Sequence, residues 1–145
     1  GAFGHGYTYS GHPVACAVAL KVLEIYQRDE IFQKAAVTGK YLQKSLSQFR
    51  DHPLVGEVRG SGLLGAIELV ANKEKGTPFL GGAVGGFAQK MAQDNGLLIR
   101  AVAGSSLGFC PPLIITETQI DEMMGKVAIA LDKTLEHCQH HGLLV

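Results

Sequence analysis

A chain of 145 residues, 46% hydrophobic and 18% charged, has the length and apolar content for one packed domain, which argues against disorder. Thirteen Lys and Arg balance thirteen Asp and Glu, so the positive excess on which nucleic-acid binders and polybasic membrane-surface proteins rely is absent. No apolar run approaches the roughly 18 residues of a membrane helix, no signal-peptide pattern opens the chain, and three widely spaced cysteines, Cys16, Cys110 and Cys138, point to free thiols in a reducing compartment, the cytoplasm.

The opening stretch GAFGHGYTYSGH carries glycines at 1, 4, 6 and 11, which would weaken a strand, and it is not helical before Pro13. It is neither a methionine start nor a polar tail, so position 1 is expected to lie inside a longer protein. Apolar residues at 14, 17, 18, 22 and 25 predict a helix over 13–26, with Pro13 in its first turn. A second helix is predicted over 30–49, with Ile31, Ala35, Leu42, Leu46 and Phe49 on one stripe and Asp51, His52 and Pro53 ending it. VGEVRGSGLLGAIELV then predicts a short strand around Val55 and Val58, a turn at 60–62 and a longer strand over 63–70. Residues 71–78 read as a charged loop, and 83–95 as an amphipathic helix with Gly96 in the place of a left-handed C-terminal cap. LLIR (97–100) and 107–110 read as strands, and Pro111-Pro112 stops the pairing. Thr116 with Gln119 forms a capping box for a last helix, whose stripe is Ile120, Met123, Val127, Leu131 and Leu135. This order predicts an α/β (α+β) fold, a small, mostly antiparallel sheet with helices on one face, with a boundary near Arg28-Asp29.

Several groups could carry chemistry. The glycines of the opening loop permit close approach of a ligand, Thr8 and Ser10 offer hydroxyls, and a helix starts just after. That suits an anion such as phosphate, although from the residues alone a surface loop capped by Ser10 or His12 is the favoured reading. No Walker-type Lys-Ser/Thr follows. GGAVGG (81–86) lacks the G-x-G-x-x-G spacing and a preceding apolar strand, and reads as a flexible lead into a helix. Arg100, ending an apolar strand beside a glycine-bearing loop, can present its guanidinium fork to a carboxylate, or be a salt-bridge partner or an exposed edge charge. Arg59 has the same two readings, the structural one being favoured. His137, Cys138, His140 and His141 cluster at the last helix end, where histidines suit the negative end of the dipole, and no metal site is expected. Lys21, Lys34, Lys40, Lys44, Lys90, Lys126 and Lys133 fall on polar helix faces, and Lys73 and Lys75 in the charged loop. No catalytic residue is expected in this chain: it holds binding groups and no reactive centre.

Three segments, in this order, resemble class III pyridoxal-phosphate-dependent aminotransferases: HGYTYSGHPVACAVALKVLEI, VGEVRGSGLLGAIELV and DNGLLIRAVAGSSLGFCPPLIITETQIDEM. The Thr-Tyr-Ser-Gly-His-Pro run is most similar to the ω-amino acid and amine–pyruvate branch. The resemblance covers the C-terminal portion of that family, of fold type I. It implies that 1–28 close the large cofactor domain and 29–145 form the C-terminal small α/β domain. It implies that Tyr7 and Thr8 hold the phosphate of the neighbouring subunit's pyridoxal 5'-phosphate in a homodimer. It implies that Arg100 is a mobile arginine pairing with a substrate carboxylate. One departure stands: many members have Gly-Asp shortly after this arginine, and here Gly104 is followed by Ser105. The family's Schiff-base lysine, ring-nitrogen aspartate and stacking aromatic lie upstream of these segments, so the parent is expected to be a transaminase and the fragment alone inactive. The implied substrates are a small amine or amino acid and a keto acid such as pyruvate. The alternatives are a non-catalytic α/β ligand-binding module, or another reaction of the same cofactor, such as decarboxylation or amino-group migration.

Overall fold

The computed structural model describes residues 1–145. Two helices come first, α1 (Pro13–Arg28) and α2 (Ile31–Ser47). His12 caps α1 through a long 3.5 Å contact from the Ala15 N–H, and Pro13 occupies the first helical position, where no backbone donor is missed. Glu30, at φ 51 and ψ 40, breaks the chain into the left-handed region between the two helices. Arg28 and Asp29, where the boundary is expected, are the last residue of α1 and its C-cap.

Beyond α2 a 3-10 segment, Gln48–Asp51, turns the chain into a hairpin of β1 (Val55–Ser61) and β2 (Leu64–Asn72). After β3 (Thr77–Pro78) comes α3 (Ala83–Asp94), then β4 (Arg100–Val102), β5 (Ser106–Phe109) and α4 (Glu117–His140). The sheet runs β1-β2-β5-β4, with β3 added to β2, and every pairing is antiparallel. The predicted α/β class with a small antiparallel sheet is what the chain forms.

Four boundaries differ from expectation. The region 71–78 is not all loop: β2 continues to Asn72, and Thr77–Pro78 folds back on it. The turn of the first hairpin lies at 62–63, because Gly60 and Ser61 still pair with Gly65 and Leu64. Residues 97–99 are not strand, so Arg100 begins β4 where the sequence pattern had it end one. The glycine run is not a free lead either, since Gly82 is the N-cap and Gly85 and Gly86 lie inside α3.

The core is continuous across one sheet face and three helices. Leu42 and Leu46 of α2, Ile67 and Leu107 of the sheet, Ala88 of α3, and Ile120, Val127 and Leu131 of α4 are completely buried in it. The stripes predicted for α2 and α4 are the faces buried, apart from Ala35 and Leu135, which are only partly covered. The His52 ring tethers the corner after α2 to this core: its Nδ1 accepts from the Leu54 N–H at 3.2 Å, and its Nε2 lies 3.4 Å from Asp132 of α4. Burial pushes the imidazole pKa down, and Asp132 partly offsets that.

Two predicted caps form. Gly96, at φ 75, closes α3 as the left-handed residue, donating to the Gln93 carbonyl while the Leu97 N–H reaches Ala92. At α4, Thr116 Oγ1 accepts from the Gln119 N–H (3.3 Å), and Gln119 Oε1 accepts from the Thr116 N–H (3.0 Å). Thr116→Ala removes the hydroxyl half of this box and leaves the backbone half in place, and urea unfolding is expected to register a loss of about 1 kcal/mol. An unchanged midpoint would show that the hydroxyl contributes nothing.

α1 stands apart from the core. None of its residues is buried, and Val14, Val18, Leu20 and Leu23 are exposed. No helix of the chain is long and apolar enough to cross a membrane.

Candidate functional site

Tyr7 and Thr8 sit in an exposed turn just ahead of α1. Ser10 shapes this turn: its Oγ accepts from the Tyr7 N–H at 2.8 Å, and its own N–H donates to the Tyr7 carbonyl at 2.9 Å. His12 then caps the helix, so the two residues read as possible caps both serve local structure. Thr8 is left over. Neither its N–H nor its hydroxyl has a partner within the chain. These two free donors lie just ahead of a helix start with no acidic residue in its first turn, a combination that accepts an anionic oxygen cluster. The donor set therefore fits a phosphate group.

Arg100 opens the outermost strand of the sheet path. Register places it opposite Gly108, with Ala66 next across the sheet, on the face turned away from the helices. Neither neighbour is large enough to crowd it. The exposed guanidinium makes no ion pair and no hydrogen bond. Arg59 provides the contrast. Its Nη1 donates to Glu57 at 2.9 Å and Glu68 at 2.5 Å, and its Nη2 reaches Ser106 Oγ at 3.4 Å. One strand arginine is thus locked between carboxylates, the structural reading given to it, while the other is free to bind one.

The turn after β4 is sharp. Ala103 (φ 45) and Gly104 (φ 85) both lie in the left-handed region. Ser105, at the position of the departure from the Gly-Asp pattern, is buried. Its carbonyl accepts from the Leu69 N–H at 3.1 Å, while its hydroxyl has no partner. The turn is anchored through its backbone.

Other candidates have local roles. His137 stacks on Phe87 at 3.9 Å between ring centroids, Cys138 is buried, and His141 Nδ1 lies 2.9 Å from the His137 carbonyl oxygen. Burial pushes the Cys138 thiol pKa up. Lys126 pairs with Glu122 at 2.6 Å, and Lys73 donates to the carbonyls of Arg50 and His52. A cleft of about 590 Å³ lies between Leu97-Leu98 and the segment from Cys110 to Thr116, remote in sequence from the Thr8 turn.

Tyr7 and Thr8 on one side and Arg100 on the other belong to different elements, and no hydrogen bond or ion pair joins them. Sequence reasoning missed Gln89. This α3 residue accepts the Ala101 N–H at 2.7 Å on its Oε1, next to Arg100. A half-buried glutamine in an amphipathic helix carries no signal of such a contact, because the partner strand is placed only by the fold.

Comparison with known proteins places these features in a family context. Residues 1–131 match the family described as aminotransferase class-III. The chain is 46% identical over 135 residues to the putrescine–pyruvate aminotransferase of Pseudomonas aeruginosa, covering 92% of this chain and 29% of that protein. It is 40% identical over 135 residues to the chloroplastic gamma aminobutyrate transaminase 3 of Solanum lycopersicum, covering 92% of this chain and 26% of that protein. The omega transaminase of Pseudomonas jessenii, solved in complex with PMP, superposes with a TM-score of 0.85 at 43% identity, over 93% of this chain and 30% of that one. A transaminase solved with L-Ala superposes with a TM-score of 0.86 at 44% identity, over 92% of this chain and 32% of that one. The chain thus spans less than a third of the length of these relatives.

Proposed function

This chain belongs to the class-III aminotransferase family, and from that membership we propose that it is the C-terminal part of an enzyme that moves an amino group from an amine or ω-amino acid to pyruvate or a similar keto acid. The observation that carries the reading is Arg100: an unpaired guanidinium on the open sheet face, opposite a glycine, in a sheet whose other arginine is neutralised. A planar fork of N–H donors binds a carboxylate through two parallel hydrogen bonds. Its long side chain can swing aside when an uncharged group takes the same place.

The remaining assignments follow from the same reading. Residues 1–28 finish the large cofactor domain, which agrees with α1 burying none of its residues here. Residues 29–145 are the small domain. Thr8, through its free N–H and hydroxyl, and Tyr7, through its backbone, hold the phosphate of a pyridoxal 5'-phosphate bound in the neighbouring subunit of a homodimer. That cofactor, when bound, supplies the electron sink for amino transfer. This chain binds and orients, and on its own it is inactive. Three free cysteines agree with a cytoplasmic setting.

The test is product analysis of the complete protein supplied with an amine and pyruvate. Alanine is the expected product. Release of carbon dioxide without alanine would overturn transamination in favour of decarboxylation.

Thr8→Ala tests the phosphate assignment. Loss of one hydroxyl donor to a charged oxygen is expected to weaken cofactor retention about tenfold, about 1.4 kcal/mol. Equilibrium titration of the apo dimer, followed by cofactor absorbance, measures it. Unchanged affinity would remove Thr8 from the phosphate site.

A further inference from the structure

We propose that Gln89 is a positioning residue for Arg100: it fixes the backbone from which the guanidinium reaches a substrate carboxylate. The inference rests on the reading of Arg100 given above and deepens it.

The amide of Ala101 belongs to the peptide unit that directly follows Arg100. Its N–H donates to Gln89 Oε1 at 2.7 Å. β4 is only three residues long and is the outermost strand of the path β1-β2-β5-β4, so one strand neighbour alone holds it. The Gln89 carbonyl therefore serves this peptide unit as the carbonyl of a further strand would. Gln89 can do so because α3 is itself anchored, with Val84, Ala88 and Ala92 buried in the core.

The same face of α3 grips the far end of the turn. Gly85 lies one helical turn before Gln89. A Cβ at Gly85 would come within 2.9 Å of both the Gly104 carbonyl oxygen and Ser105 Cα, and within 3.4 Å of the Ala101 side chain. Only a residue without a side chain permits this approach. α3 thus holds the 100–101 peptide through Gln89 and the 104–105 backbone through Gly85.

The consequence concerns how Arg100 moves. With the peptide after it clamped, a change between carboxylate-bound and swung-aside positions is confined to the side-chain torsions. The backbone does not have to reorganise, so the guanidinium returns to one place each time a carboxylate arrives. Without the clamp, the strand end shares its conformations among several positions, and only a fraction is competent to bind.

The test is a double-substitution cycle in the complete holoenzyme, using Gln89→Met, which keeps the length of the side chain and removes the acceptor, and Arg100→Ala. Gln89→Met is expected to raise the KM for pyruvate about fivefold, the equivalent of one lost hydrogen bond, with the KM for an uncharged amine unchanged. In the Arg100→Ala background it should add nothing further, since the group it positions is gone. Equal rises for both substrates, no rise, or a full additional rise in the Arg100→Ala background would each overturn the inference. If Arg100→Ala itself leaves the pyruvate KM untouched, the carboxylate reading of Arg100 fails and this inference falls with it. A large Arg100 effect beside a silent Gln89→Met sinks the positioning role alone. Hydrogen exchange needs no variant. The Ala101 amide of the unmodified holoenzyme should be protected, and exchange at the rate of an open strand edge would also overturn the proposal.

Discussion

On the proposed function, Arg100→Ala in the complete protein is expected to raise the KM for pyruvate about 30-fold, about 2 kcal/mol, and to leave the KM for an uncharged amine within about twofold. The magnitude is that of a charge-assisted, bidentate pair exchanged for water. The asymmetry between substrates follows from chemistry: alanine takes away a partner that only a carboxylate uses. It should not disturb the fold, because the side chain is exposed and bonds to nothing within the chain. Arg100→Lys is expected to recover only part of the loss, since an ammonium restores the charge but not the planar fork. Steady-state kinetics with the two substrates varied separately measure this. Equal effects on keto acid and amine would show that Arg100 does not recognise a carboxylate.

Ile67→Ala is expected to lower stability by about 4 kcal/mol in urea unfolding of the chain. Ile67 lies on β2, paired with Val58 of β1 on one side and Leu107 of β5 on the other, and it is completely buried. Its side chain stands where the central strands meet the helices, so truncation loses transfer free energy and leaves a cavity that the surrounding elements cannot close. Ala66, its neighbour in sequence, lies on the opposite face and is only partly covered. Placing valine there is expected to cost under about 1 kcal/mol, and the contrast between adjacent positions reports which sheet face carries the core. A loss below about 1 kcal/mol at Ile67 would mean that the sheet and helices are not packed as described.

How far each site residue could be read from the chain varied with how local its structure is. The turn holding Tyr7 and Thr8 is written in glycines, a serine and a proline that act within four residues of one another. Its phosphate reading came from a resemblance of ordered segments, and what the turn itself adds is that Thr8 keeps both donors free. Arg100 was visible as a strand arginine near a glycine-bearing loop, yet its strand was shifted by three residues. Residues 97–99 have an apolar pattern that suits a strand, but the β4 pairing starts only where Arg100 meets Gly108. Arg59 had the same two readings as Arg100. Only Glu57 and Glu68, one of them on the next strand, separate the locked arginine from the free one.

By itself, the sequence determined the helices, the buried stripes of α2 and α4, the capping box of α4, the left-handed close of α3 at Gly96 and the family to which the chain belongs. Each is set by residues within a turn or two of one another, or by the order of segments, and needs no knowledge of distant contacts. The tertiary structure alone decided that β3 adds to β2, that Arg100 lies on the open face opposite a glycine, and that Gln89 holds the peptide beside it. These depend on strand register and on where a helix comes to rest against a sheet edge. Such pairings join residues distant along the chain through backbone groups, which every residue type carries alike, so side-chain patterns leave no trace of them.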